Sequence, residues 1–315
     1  MPKGTNTLIA VSGAAALALL TACTNNGDTA DDTGISPADA DLTVVTGVYP
    51  LEWLAQEIGG DQVAVIQLTE PGSEPHDLEL TGRQVGQIGE ADIAFHVQGL
   101  QPAVDEAIAQ EAPDSALDVG EVVQLRPAAD HEGEDDHGHD HGSHDPHFWL
   151  DLDLMAETAE ALTERMSEVD PEGAERYRDN LTDLTDELST LDQEYEQGLA
   201  SCENREVVVG HTAFTYLTEA YDLEQIGVSG VDPESEPSPS QIAAITDIVD
   251  ERGITTVFTE PLMPEETAET IATETGAEVR VLDPLEGITD QSPGDDYPSI
   301  MRGNLKTLTE ALECT

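Results

Sequence analysis

Leu42-Thr43-Val44-Val45-Thr46-Gly47-Val48, Leu51-Glu52-Trp53-Leu54-Ala55 and Val63-Ala64-Val65-Ile66-Gln67-Leu68 follow one another across short polar breaks, and their order decides the fold. The outer two runs are β-branched and apolar on both faces, as strands buried in a parallel sheet are, and the middle one has helical patterning. Asp92 to Val97 and Val122 to Leu125 extend the series as third and fourth strands, with a helix over Ala103 to Ala109 between them. Strands alternating with helices predict a parallel sheet covered on both sides. The scheme returns in Glu206 to Val209, Glu224 to Val228, Thr255 to Thr259 and Val279 to Leu282, with helices over Ser240 to Arg252 and Pro264 to Thr275. The expected fold is therefore α/β, with two four-stranded parallel-sheet lobes.

Between the lobes the strand signal disappears. Tyr177, Leu181, Leu184, Leu188, Leu191, Tyr195 and Leu199 recur at intervals of four and three. Such a stripe marks one long amphipathic helix, opened by Asp170-Pro171. A coiled-coil dimer competes with packing across both lobes, but an acidic helix paired with itself would repel its partner. A monomer is expected.

The first residues carry Lys3, an apolar stretch from Leu8 to Leu20, and Leu20-Thr21-Ala22-Cys23, the layout of a secretory signal too short to span a bilayer comfortably. Leu-Thr-Ala before Cys23 resembles a bacterial lipobox, which implies cleavage, acylation of Cys23 and anchorage to the outer face of the cytoplasmic membrane. The expected division is a signal peptide over 1–22, a lipidated tether over 23–41, a first lobe over 42–129, a mobile His/Asp-rich loop over 130–146, a helical segment over 147–200 and a second lobe over 201–315. Two further thiols outside the cell, Cys202 and Cys314, favour a disulfide over two separate buried cysteines.

Eleven basic residues against 67 acidic ones give a net charge of −56, which excludes nucleic acid as a partner because its phosphates would be repelled. The acid is spread along the chain, as suits a surface adapted to a salty solvent.

Six of nine histidines fall between His131 and His147. His131, His137, His139, His141 and His144 alternate with acidic residues and no apolar ones, so they offer many shallow metal sites without fixed geometry. His147 lies beyond, in Asp145-Pro146-His147-Phe148-Trp149-Leu150-Asp151, where ordered apolar sequence begins. His76 follows the second strand, His211 ends Val207-Val208-Val209-Gly210-His211, and Asp283 ends Val279-Arg280-Val281-Leu282-Asp283. Ligands of open α/β sheets bind beyond the carboxyl ends of strands, so His76, His147, His211 and Asp283 are expected to meet in the cleft between lobes. Three imidazoles and one carboxylate suit tetrahedral Zn2+; Mn2+ and iron prefer more oxygen. His96, inside the third strand, is expected to be structural.

These motifs resemble the metal-binding components of ABC importers for zinc and manganese, the ZnuA- and TroA-like group. The resemblance covers nearly all of the mature chain. It rests on Gly72-Ser73-Glu74-Pro75-His76-Asp77, Asp145 to Asp151, Val209-Gly210-His211-Thr212-Ala213-Phe214, Phe258-Thr259-Glu260-Pro261 and Leu282-Asp283-Pro284-Leu285. It implies two α/β lobes joined by a long rigid helix, ligands at His76, His147, His211 and Asp283, and docking to a membrane permease driven by an ATPase. Manganese-type members typically carry a carboxylate where this chain has His211, and they lack the His-rich insertion. Glu260 matches an acid near the cleft that would hold an imidazole N–H. The expected function is non-enzymatic: extracytoplasmic zinc capture for delivery to the importer. The rivals are a manganese or iron carrier, a structural adhesin, and an exported zinc hydrolase with Glu260 as its base. No HExxH helix supports the hydrolase.

Overall fold

The computed structural model describes residues 35–128, 144–231 and 237–315. Cys23, His131, His137, His139 and His141 lie outside the described residues. The first half runs β1 (Leu42–Thr46), α1 (Tyr49–Gly59), β2 (Val63–Gln67), α2 (Gly82–Glu90), β3 (Ile93–His96), α3 (Pro102–Glu111) and β4 (Ala116–Asp118). Two helices follow, α4 (Leu152–Val169) and α5 (Ala174–Leu199). The second half runs β5 (Glu206–Val209), α6 (Thr215–Ala220), β6 (Glu224–Gly227), α7 (Pro239–Arg252), β7 (Thr256–Thr259), α8 (Glu266–Thr275), β8 (Glu278–Val281) and α9 (Tyr297–Ala311).

Each half forms a four-stranded sheet, ordered β2-β1-β3-β4 and β6-β5-β7-β8, with every pair parallel. The two halves thus repeat one topology. In each, the order reverses beside the first strand, which opens a crevice beyond its carboxyl end. The strand expected over Val122 to Leu125 is not formed. Those residues follow a 3-10 turn over Val119–Glu121, and β4 lies earlier. The physical reason is burial without pairing: Val123 is in the core, whereas the three-residue edge strand β4 is only half-buried and carries little apolar signal.

Helix α7 begins behind Ser238, not Ser240: the Ser238 side chain accepts from Gln241 N, and the Gln241 side chain returns to Ser238 N. Pro239 then occupies the first turn, where its missing N–H costs nothing.

Helix α5 has 26 residues and is therefore about 39 Å long. It packs on α1 and α4 towards the first half and on α9 towards the second. Its buried stripe is Tyr177, Leu184, Leu188, Leu191, Tyr195 and Leu199, with Leu181 partly covered. Asn180 Nδ2 donates to Ile58 O at 2.9 Å, and Tyr195 Oη donates to Met301 O at 2.7 Å, so polar contacts also tie the helix to both halves. The stripe is thereby occupied within the chain. One hydrophobic cluster runs from α1 through α5 to α9, while smaller clusters fill the outer face of each sheet. Cys202 and Cys314 form a disulfide that fastens the end of α9 beside the end of α5. Among the described residues, no helix is long and apolar enough to cross a membrane.

Candidate metal centre

His76 sits in the loop after β2. The buried Gln101 amide holds that loop by donating to Pro75 O and to Thr69 Oγ1, both at 2.9 Å. Thr69 in turn donates to Gly47 O at 2.6 Å. A Cβ at Gly47 would collide with the Gln101 amide, so glycine there leaves that amide free to reach the loop. Glu74 Oε2 accepts from His76 N at 3.0 Å and fixes the turn next to the ring.

His147 is set by Asp145. One oxygen, Oδ1, accepts from His147 N at 3.0 Å and lies 2.8 Å from its Nδ1. Tyr216 on α6 donates to Asp145 O at 2.8 Å, so a residue of the second half steadies a ligand of the first. His211 follows β5 and is gripped by Glu260, which follows β7: Oε1 accepts from His211 N at 3.1 Å, and Oε2 lies 2.5 Å from Nδ1. Glu260, expected to hold an imidazole N–H, is thus placed beside the His211 ring. With Nδ1 of His147 and of His211 each facing a carboxylate, Nε2 is the atom left to work.

All three Nε2 atoms face one acceptor, Glu286 Oε1, at 3.2 Å from His76, 2.8 Å from His147 and 3.4 Å from His211. One ligand atom from each of the four residues lies within 4.8 Å of the others. Tetrahedral ligands about 2.0 to 2.1 Å from a metal stand about 3.3 Å apart, which is near the three distances from Glu286 Oε1 to the imidazoles. His147, His211 and Glu286 are buried, and only His76 reaches solvent, its side chain 11% exposed. Beside the cluster lies a cavity of about 720 Å³, lined by Glu74 from one half and by Phe258, Glu260 and Met263 from the other.

Asp283 is not the fourth member of this cluster; Glu286, three residues further on, is. The Asp283 carboxylate is turned back into its own loop, where Oδ1 accepts from Leu285 N at 2.8 Å. Leu285 then adopts φ 59°, a left-handed conformation costing an ordinary L-residue roughly 1 to 2 kcal/mol, and the chain swings Glu286 beneath the imidazoles. Asp283 stands nearest the carboxyl end of β8, the position where a ligand of an open α/β sheet is expected. Nothing local singles out Glu286: Asp283, Thr289 and Asp290 share its loop, and an acid between Leu285 and Gly287-Ile288 is as ordinary at the surface as inside. His144 pairs with Pro127 in an isolated antiparallel bridge and lies outside the cluster. His96 is also outside it, its Nδ1 3.1 Å from Asp105 Oδ1.

The electrostatics match the donor set. Burial alone would raise the Glu286 carboxyl, but contacts with His147, His211 and His76 hold it well below the usual range. Burial opposes charge on His147 and His211 as well, yet Asp145 and Glu286 raise the first ring, and Glu260 and Glu286 raise the second well above an ordinary histidine. Asp283 is pushed up to about 6 by burial. Asp145, Glu260 and Glu286 thus demand positive charge in a buried space, supplied either by protons on imidazoles or by a cation. The His211 ring is fully buried, and neither nitrogen is aligned for a hydrogen bond with the carboxylates it faces, a deficit that coordination at Nε2 would relieve.

The family model of ZnuA, zinc-uptake complex component A, periplasmic, matches residues 44–311. The zinc-binding lipoprotein AdcA of Streptococcus pneumoniae is 30% identical over 284 residues, covering 88% of this chain and 57% of AdcA, so the chain spans little more than half of that relative. The high-affinity zinc uptake system protein ZnuA of Bacillus subtilis is 30% identical over 310 residues and covers 95% of both chains. Among solved structures, the laminin-binding protein Lmb of Streptococcus agalactiae, described as a bifunctional protein with adhesin and metal transporting activity, superposes with a TM-score of 0.76. It is 28% identical, and the match covers 86% of this chain and 99% of Lmb. With a family model spanning nearly the whole described chain, this protein belongs to the ZnuA family of zinc-uptake components.

Proposed function

We propose that this protein binds Zn2+ outside the cytoplasm through His76, His147, His211 and Glu286 and hands it to the permease of an ABC importer. The observation that carries this reading is the convergence of three Nε2 atoms on Glu286 Oε1, with carboxylates behind two of the rings. An N3O set with little spare oxygen favours zinc over manganese. Acylation at Cys23 would keep the carrier near its permease and raise its effective concentration, and the histidines between 131 and 144 would gather ions for the ordered site. Capture replaces water with four protein ligands, and His76, the only one reaching solvent, is the last to close.

Four protein ligands leave a tetrahedral zinc no position for a reactive water, which argues against the hydrolase reading. Metal analysis of the natively purified protein, followed by competition between Zn2+ and Mn2+, tests the proposal. One zinc per ordered site, not displaced by excess manganese, is expected. Stoichiometric manganese, or three protein ligands with a bound water, would overturn it.

A further inference from the structure

Glu286 is carried by a turn that an ordinary sequence would not hold. Leu285, fully buried, sits at φ 59° with a branched side chain and no glycine's freedom. Each polar backbone group leading into it is claimed. Asn304, wholly buried on α9, accepts from Asp283 N through Oδ1 at 3.0 Å and donates through Nδ2 to Asp283 O at 2.7 Å. Asp283 Oδ1 takes Leu285 N, and Trp149 Nε1 donates to Pro284 O at 2.8 Å. Trp149 stands two residues beyond His147, and its ring meets the His147 ring edge-on at 5.2 Å. The arrangement mirrors the other half, where the Gln101 amide takes Pro75 O just before His76.

We propose that Asn304, together with Trp149, positions Glu286: the two clamp the Asp283–Leu285 turn so that the carboxylate meets three imidazoles already in place. The inference rests on Glu286 being a metal ligand. Neither Asn304 nor Trp149 touches the metal; both act through backbone, and Trp149 registers the turn against the segment carrying His147. Asp283 belongs to the same clamp, as the internal acceptor that bends the chain at Leu285.

Asn304→Leu keeps the volume and removes both amide bonds. In the full chain it is expected to weaken Zn2+ binding, read by competition with a chelator, by roughly 10- to 100-fold, the usual cost of losing an outer partner of a metal ligand. The visible bands of the Co2+-substituted protein should lose their tetrahedral intensity, while far-ultraviolet circular dichroism and cooperative unfolding persist. A folded Asn304→Leu protein with affinity within about twofold of wild type and an unchanged Co2+ spectrum overturns the proposal. If that variant does not fold, Trp149→Phe decides, because it keeps an aromatic ring and removes the bond to Pro284 O. A weakened affinity and an altered Co2+ spectrum support the clamp; unchanged values sink it. Glu286→Gln serves as the control. Wild-type affinity in that variant would instead defeat the ligand assignment on which the clamp rests.

Discussion

Glu286 and Asp283 are both buried acids in one loop, and substituting each separately decides which of them holds the metal. Structural zinc sites with four ligands bind with apparent free energies of about 10 to 16 kcal/mol, so one donor in four accounts for roughly 2.5 to 4 kcal/mol. Glu286→Gln, nearly isosteric, should therefore weaken Zn2+ binding by roughly 10² to 10³-fold, since 1.4 kcal/mol is a factor of ten. Asp283→Asn keeps the oxygen that accepts from Leu285 N and removes no ligand, so its affinity should stay within about threefold. Its effect should appear in stability instead. The folded pKa of Asp283, about 6, exceeds the ordinary 3.8 because burial disfavours the anion. A raised carboxyl pKa means that the folded state holds its proton more tightly, so stability is lost as pH rises from about 4 to about 6. The deficit at neutral pH is at most about 3 kcal/mol, at about 1.36 kcal/mol per pH unit. Asp283→Asn should remove it, stabilising the metal-free protein in urea at pH 7.5 and much less at pH 4.5. Chelator competition gives the affinities. Loss of binding in Asp283→Asn with retention in Glu286→Gln would refute the assignment and restore Asp283 as ligand.

Glu260→Gln should cost roughly 10- to 100-fold in Zn2+ affinity, because His211 loses the charge that fixes its Nδ1; isothermal titration against a chelator measures it. Metal affinity should fall on acidification from a higher pH than ordinary imidazoles near 6.5 would give, because His147 and His211 have raised pKa values and must shed their protons to coordinate. A binding isotherm series that stays level from pH 8 to pH 5.5 would contradict imidazole ligation. Removing the Cys202–Cys314 disulfide, which spans 112 residues of chain, should destabilise the protein by up to about 5 kcal/mol on the chain-entropy model, seen as a lower urea midpoint with Zn2+ stoichiometry preserved.

The regular elements were legible because burial wrote them into the sequence. Val44, Val207 and their neighbours are apolar on both faces because each strand lies between layers, and the α5 stripe from Tyr177 to Leu199 repeats because one face meets both halves. Strand β4 was not legible, since a three-residue edge strand at half burial has no period to read. At the site, His76, His147 and His211 were recoverable because each follows a strand or opens an ordered segment. Glu286 was not, because its position depends on a left-handed Leu285 and on an Asn304 that lies 18 residues further along the chain. Local pattern carries no trace of a turn held from a distant helix.

The distribution of anchors around the four ligands determines how the metal leaves. His147 belongs to the first half by sequence, yet Tyr216 holds Asp145 O behind it, Trp149 bonds Pro284 O, and Tyr297 Oη donates to Trp149 O at 2.5 Å. Those contacts make His147 move with His211 and Glu286. The continuous core through α5 opposes a wide hinge, leaving small shifts and loop rearrangement as the available motion. His76 alone hangs on a loop of its own half, through Glu74 and Gln101, and alone reaches solvent. Release should therefore begin there. A metal-free crystal structure is expected to show the 70–78 loop displaced, with His147, His211 and Glu286 in place. In stopped-flow chelation, His76→Ala should raise the dissociation rate by a factor close to its whole loss of affinity, because the remaining three donors still receive the ion. Displacement of the Glu286 turn with His76 held fast would show that the metal leaves from the opposite side.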